Sequence, residues 1–256
     1  MPKKPEIAII DLDFLIYSAS SISEKITYTY YDKNDKEVAS FDSAQEGKRW
    51  LEMIETFGGY DTEFGYEGYL SELRRETSYK PQGLGKAQKN FDRMLKEWLA
   101  EVDVDRWQGY CSALKGMKLF RHDIATIQPY KGNRKGSHKP LYLDDVRRYA
   151  LSYNNVKRVG GGIECDDKVC EIAQSLGEKA VLACHDKDGF VTVGNWIWMP
   201  GEEMVFSDPS KVGEIYLDKT NKSPKVKGYG NLFLLSQCLT GDKADHYAGC
   251  PKVGPV

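Results

Sequence analysis

The sequence predicts an α/β fold in which helices flank a largely parallel central sheet. Three observations carry this. Residues 6–10 and 180–184 are short continuous apolar runs, the pattern of strands buried on both faces. Between and around them lie segments with apolar residues at i, i+3, i+4 and i+7. Strand-like and helix-like segments alternate along the chain, which favours parallel crossovers. At 256 residues and 41% hydrophobic content the chain can bury a sizeable core, so disorder is excluded as the whole answer.

Taken in order, residues 6–10 form the first strand and run into Asp11-Leu12-Asp13. Residues 26–32 and 37–41, joined by Lys33-Asn34-Asp35-Lys36, predict a β-hairpin. Trp50, Met53, Ile54 and Phe57 share one helical face, and Gly58-Gly59 ends that helix. Residues 58–90, rich in Gly, Tyr and charge, give no clear pattern. Phe91, Met94, Leu95, Trp98 and Leu99 mark a second amphipathic helix, and residues 107–111 a short strand. Val146, Tyr149, Ala150 and Tyr153 predict a helix over about 141–153; Val169, Ile172, Ala173 and Leu176 predict another over 167–176, closed by Gly177. Residues 180–184 are a strand running into Asp186 and Asp188. Residues 191–206 read as two short strands with Trp196 and Trp198 alternating. Residues 232–239 form an apolar helix ended by Gly241. No internal repeat or low-complexity tract occurs.

Composition narrows the function classes. No stretch approaches the ~20 apolar residues of a bilayer span, and the short apolar run near the start is no secretory signal. A soluble, cytoplasmic protein without membrane contact is expected. Cys111, Cys165, Cys170, Cys184, Cys238 and Cys250 form no CxxC pair and read as reduced, buried thiols. Thirty-six basic and thirty-eight acidic residues leave a net charge of −2. The distribution is uneven: residues 130–158 hold Lys131, Arg134, Lys135, Lys139, Arg147, Arg148, Lys157 and Arg158 against Asp144 and Asp145.

The acids carry the chemistry. Asp11 follows one buried strand, Asp186 and Asp188 follow another, Glu164, Asp166 and Asp167 open a helix, and Asp242 and Asp245 follow a helix. In open α/β sheets ligands bind beyond the carboxyl ends of the strands, so these loops should converge on one edge. Singly, each acid suits a cap or a turn; jointly they suit hard divalent cations, Mg²⁺ or Mn²⁺. Enough carboxylates are present for two ions, the number that serves in-line phosphoryl displacement.

Five segments then carry a resemblance. They are Ile9-Ile10-Asp11, Tyr130-Lys131-Gly132-Asn133-Arg134, Gly162-Ile163-Glu164-Cys165-Asp166-Asp167, Asp186-Lys187-Asp188, and Gly241-Asp242-Lys243-Ala244-Asp245 with Gly249-Cys250-Pro251-Lys252-Val253-Gly254. In this order they resemble the 5′-nuclease superfamily: flap endonucleases, the 5′-nuclease domain of bacterial DNA polymerase I, and above all phage 5′→3′ exonucleases. The resemblance implies a PIN-like nuclease core over 1–230, with an insertion at about 26–100. It also implies the start of a helix–three-turn–helix DNA-binding motif over 231–256. Asp11, Glu164, Asp166, Asp167, Asp186, Asp188, Asp242 and Asp245 would surround two Mg²⁺ ions, with Mn²⁺ able to substitute. Lys131 and Arg134 would meet the scissile phosphate and Tyr130 a base beside it. Lys135, Lys139, Gly249, Lys252 and Gly254 would contact DNA, with a K⁺ ion at the glycine-rich turn. The implied activity is hydrolysis of DNA near 5′ ends or flaps by a monomer, in replication, recombination or nucleotide recycling, with a phage gene as source. Residues 26–100 are a candidate protein-partner surface.

One departure stands out. Aligning Phe120-Arg121 with the family's aromatic–arginine pair puts Leu114 where a metal-binding aspartate is usual, and leaves Asp13 and Asp123 as substitutes. Two rival classes follow. Asp11-Leu12-Asp13 and Gly241-Asp242 also resemble motifs of haloacid dehalogenase-like phosphatases, a reading that leaves the segments 130–134 and 162–167 unexplained. A DNA-junction binder that keeps the fold without the chemistry is the other.

Overall fold

A computed structural model describes residues 4–57, 70–113, 119–127, 129–192, 194–199, 201, 203–208, 210–220, 224–242 and 244–253. The chain starts with β1 (Ile7–Asp11), α1 (Asp13–Ser21), β2 (Glu24–Tyr31), β3 (Glu37–Phe41) and α2 (Ala44–Phe57). It continues through β4 (Arg74–Pro81), α3 (Leu84–Val102), β5 (Arg106–Cys111), α4 (Arg121–Ile124), α5 (Leu143–Ala150) and β6 (Val156–Arg158). Next come α6 (Cys165–Leu176), β7 (Ala180–Cys184), β8 (Gly194–Trp198) and β9 (Val205–Ser207). The hairpin β10 (Glu214–Asp218) and β11 (Lys225–Tyr229) leads into α7 (Gly230–Thr240).

The central sheet has the order β6-β5-β1-β7-β8-β9, parallel throughout except for the antiparallel edge strand β9. The predicted fold class is therefore the one observed. β1 lies between β5 and β7, so the chain builds outward on one side of β1 and then crosses to the other. That switch of direction leaves a crevice at the carboxyl ends of the strands.

Alternation along β1 sorts its side chains. Ala8 and Ile10 join a core with Leu15, Ile16, Phe91, Leu95, Trp98 and Val146, beneath α1, α3 and α5. Ile9 goes to the opposite face, with Cys165, Val169, Ala173 and Leu182 under α6. Each large apolar side chain buried there is worth roughly 1.5–3 kcal/mol. Asp11 shares the parity of Ile9 and so falls on the α6 side.

The hairpin expected at 26–41 is present as β2 and β3, with Tyr30 packed on Phe41 and Trp50. Its third strand, β4, pairs with β2 over eight residues. β4 escaped the sequence reading because Arg-Arg-Glu-Thr-Ser-Tyr-Lys-Pro has no apolar alternation. α1 escaped too, because Phe-Leu-Ile-Tyr-Ser-Ala is apolar or small on every side and shows no helical contrast. α3 lies inside the 26–100 stretch, yet Phe91, Leu95 and Trp98 make it part of the main core. The helix expected from 167 starts at Cys165, and the one expected over 141–153 spans Leu143–Ala150. The helix stop at Gly58-Gly59 lies outside the described residues.

The thiols need a correction. All six are free, but only Cys111, Cys165 and Cys184 are buried, whereas Cys238 and Cys250 are exposed. Both exposed cysteines belong to the C-terminal segment, where α7 leaves Leu234, Leu235 and Leu239 open to solvent. Among the described residues no helix is long and apolar enough to cross a membrane.

Candidate metal centre and its basic rim

Asp11 ends β1 on the α6 face and is buried. One of its carboxylate oxygens accepts the Asp13 N–H at 3.0 Å. Asp13 in turn accepts the Ser112 N–H at 3.0 Å and the Ser112 hydroxyl, which fixes it at the start of α1. Asp11, Asp13 and the Cys165 thiol place ligand atoms within 4.8 Å of one another. Asp13, one of the two substitutes weighed for the missing aspartate, therefore sits beside Asp11. Asp123 is exposed on α4 and belongs to none of the clusters among the described residues. Leu114 lies outside the described residues.

Glu164, at the N-cap of α6, and Asp166 and Asp167 in its first turn form a second cluster within the same distance. Asp188, Asp242 and Asp245 form a third. Asp188 sits in the 3-10 turn after β7, while Asp242 and Asp245 sit in the turn after α7. Asp186 caps the turn after β7 by accepting the Asp188 N–H at 3.0 Å. The clusters interact electrostatically: Asp11 with Asp166, Asp167 with Asp188, Asp245 with Glu164, and Asp186 with Asp245. All eight predicted acids thus meet at one edge of the sheet.

Their ionisation reports what the edge lacks. Burial, and then the charges of Glu164 and Asp167, push the Asp166 carboxyl up to about 7. A helix N-terminus favours the carboxylate by about 0.3–1 kcal/mol, and here burial and two like charges outweigh it. Burial together with the Asp13 charge raises Asp11, and burial is the first cause of the raised values of Asp167, Asp186 and Asp245. Glu164 and Asp242 go the other way. Burial works upward on both, but Lys131 and Tyr130 on Glu164, and Lys187 on Asp242, bring them below the ordinary carboxylate range. Burial and the nearby Asp11 and Asp13 raise the Cys165 thiol well above its ordinary value, so it stays protonated and neutral. The donors are therefore hard oxygens, crowded and short of positive charge. That set fits Mg²⁺ or Mn²⁺.

The positive charge present comes from side chains. Arg121 reaches Glu164 at 2.9 Å, Asp167 at 2.6 Å and Asp245 at 3.6 Å, and donates to the Tyr130 hydroxyl oxygen at 3.1 Å. Lys131, in a left-handed backbone conformation, reaches Glu164 at 2.6 Å. Lys187 bonds to Asp242 and lies 3.4 Å from Asp188. Arg134 donates to the Ala244 carbonyl at 3.1 Å and lies 3.4 Å from Asp245. The Tyr130 hydroxyl donates to Glu164, and its ring carries the cations of Lys131 and Arg121 at 4.9 and 5.5 Å.

Arg121 and Lys187 were not read as site residues from sequence. Arg121 could be found only through its place beside Phe120 in the aromatic–arginine pair, and Lys187 only as the basic residue between two acids. Lys135, Lys139 and Lys252 are exposed. Gly249 has φ +66°, and a Cβ there would lie 2.3 Å from the Gly241 nitrogen. Glycine is therefore required by the chain's own approach to the end of α7. Gly254 lies outside the described residues. Beside the acids opens a cavity of about 750 Å³, lined by Asp166, Asp188 and Asp245 together with Phe120, Ile124 and Leu234.

Fold and site together define an α/β protein with a crowded carboxylate edge rimmed by Arg and Lys. No family model matches the sequence. A solved structure similar to it is that of the T5 D15 protein co-crystallized with metal ions, at 15% identity and a TM-score of 0.43. The match covers 65% of this chain and 64% of that one, so the chain spans less than two thirds of its neighbour's length.

Proposed function

We propose that this chain is a nuclease of the 5′-nuclease type, hydrolysing DNA phosphodiesters near 5′ ends or flaps with two Mg²⁺ ions, or Mn²⁺ in their place. The observation that carries the reading is the convergence of three carboxylate clusters and the basic side chains of Arg121, Lys131, Arg134 and Lys187 on one sheet edge. Its second support is the ordered set of five sequence segments that resembles this superfamily.

Asp11, Glu164, Asp166, Asp167, Asp186, Asp188, Asp242 and Asp245 would surround and hold the two ions. Mg²⁺ bound there supplies a Lewis acid for phosphoryl oxygens and lowers the pKa of water. Lys131 and Arg134 offset charge developing on the transferring phosphoryl group. Tyr130 offers a ring face to an unpaired base. Lys135, Lys139, Lys252, Gly249 and Gly254 follow the DNA backbone, with K⁺ beside the glycines. Residues 1–230 act as the nuclease core and 231–256 as the start of the DNA-clamping motif. The protein works as a cytoplasmic monomer, and its source is a phage.

Cleavage of 5′-flap and blunt duplex DNA, in Mg²⁺ or EDTA, tests this. Cleavage is expected to need Mg²⁺ and to vanish in Asp186→Ala while the fold is kept. Full activity in EDTA or in that variant overturns the assignment. Hydrolysis of a small phosphomonoester without DNA cleavage would move the protein to the phosphatase class.

A further inference from the structure

The three-stranded sheet β3-β2-β4 lies outside the resemblance, and one of its residues makes contacts that the metal centre does not use. Glu24, the first residue of β2, is buried, with its side chain only 2% exposed. Both carboxylate oxygens serve the basic segment. One pairs with His138 Nε2 at 2.7 Å, and the other accepts the Leu141 N–H at 2.8 Å. These partners are 114 and 117 residues further along the chain. The His138 ring also lies flat on Tyr79 of β4, with centroids 3.4 Å apart and planes at 8°.

Glu24 is itself held firmly. The neighbouring Ser23 hydroxyl donates to the Ala19 carbonyl and accepts from Asn90 of α3 at 3.0 Å. The Ser23 carbonyl accepts the Gln82 N–H at 2.9 Å. The ends of α1 and β4, and α3, therefore fix the carboxylate before the basic segment reaches it. Burying a carboxylate is unfavourable unless its oxygens are hydrogen-bonded, and the residues that satisfy this one all belong to the segment it holds. The near end of the same segment is tied to the metal centre through Lys131 on Glu164 and Arg134 on the Ala244 carbonyl. Between Arg134 and Leu141, Lys135 and Lys139 are exposed.

We propose that Glu24, together with Tyr79, is a positioning clasp: it fixes the far end of segment 131–141 so that its cations meet a phosphodiester backbone as a pre-set arc. Without the clasp, that segment must be ordered at the moment of binding, which weakens affinity. Glu24 is a positioning residue, since it touches neither the acids of the metal centre nor the exposed cations. The DNA part of the inference rests on the proposed function; the clasp itself does not.

Hydrogen exchange and DNA binding separate the two. Fluorescence anisotropy with a labelled 5′-flap DNA in Ca²⁺ reads affinity without turnover. In Glu24→Ala and His138→Ala, amides 135–141 should exchange at least about tenfold faster while α6 and β7 keep their protection. The Kd for the flap should rise about tenfold. Glu24→Gln should stay within about twofold on both measures, because its amide oxygen can accept the Leu141 N–H and its amide group can still hydrogen-bond the His138 ring. His138→Ala, which removes a side chain one third exposed, keeps the test open should Glu24→Ala fail to fold. Unchanged exchange at 135–141 in His138→Ala overturns the clasp. So does protection lost equally in α6 and β7, whereas protection lost only at 135–141 with unchanged flap affinity keeps the clasp and overturns its role in positioning the cations for DNA. Wild-type protein that binds no DNA overturns the nuclease reading instead, and the exchange measurement then decides the clasp alone.

Discussion

Arg121 joins more of the site than any other described cation, pairing with Glu164, Asp167 and Asp245 and touching Tyr130. Partly buried pairs of this kind are costly to break from one side, because the remaining charge stays poorly solvated. Arg121→Ala should therefore lower stability by roughly 1–3 kcal/mol in EDTA. Saturating Mg²⁺ should shrink that loss, since a divalent ion takes over the neutralisation. Urea unfolding under the two conditions measures it, and an equal loss in both would show that Arg121 serves packing alone. At the same scale, Lys131 tests the proposed chemistry. Lys131→Ala should reduce turnover more than DNA affinity in single-turnover experiments. A pure affinity loss would make it a backbone contact.

The turn from Gly241 to Gly249 is the element that delivers two acids of the third cluster. Its ends are closed by paired hydrogen bonds between Asp242 and Tyr247 at 2.7 and 2.8 Å, and by the Cys250 N–H on the Leu239 carbonyl at 2.8 Å. Gly249→Ala would drive a Cβ into the backbone of Thr240 and Gly241, at 2.6 and 2.3 Å. Backbone cannot rotate aside as a side chain can, so the turn must open. The expected result is a loss of about 1–3 kcal/mol and, by calorimetric titration, about tenfold weaker Mn²⁺ binding as Asp242 and Asp245 move. Unchanged Mn²⁺ affinity would remove Asp242 and Asp245 from the ligand set. β4 belongs to this scale as well. Its sequence carries no apolar alternation, and only pairing with β2 makes it a strand.

Across the whole molecule, crowded carboxylates couple stability to pH and to cations. Asp166 ordinarily titrates near 3.8 and in the folded protein near 7, so the folded state holds its proton more tightly than the unfolded one. The stability this brings is full below about 4 and is lost as pH rises through about 7. Metal-free protein should therefore melt at a lower temperature at pH 8 than at pH 6. Mg²⁺ should raise the melting temperature at pH 8 and flatten the dependence; at a hundred times its Kd the gain is about 2.7 kcal/mol. A melting temperature indifferent to Mg²⁺ at pH 8 would count against a resident cation.

The sequence by itself determined the parallel α/β core, because continuous apolar runs at 6–10 and 180–184 can be satisfied only inside a sheet covered on both faces. It also picked out the eight acids, since each follows or opens an element whose period is plain. What only the tertiary structure decided was contact between parts distant in the chain. The placing of Arg121 among three acids, the pinning of Asp13 by Ser112, the recruitment of polar β4 and the burial of Glu24 under His138 all depend on partners dozens of residues away. Local periodicity reports which face of an element is apolar; it carries no record of which charged side chain a distant segment will bring to that face.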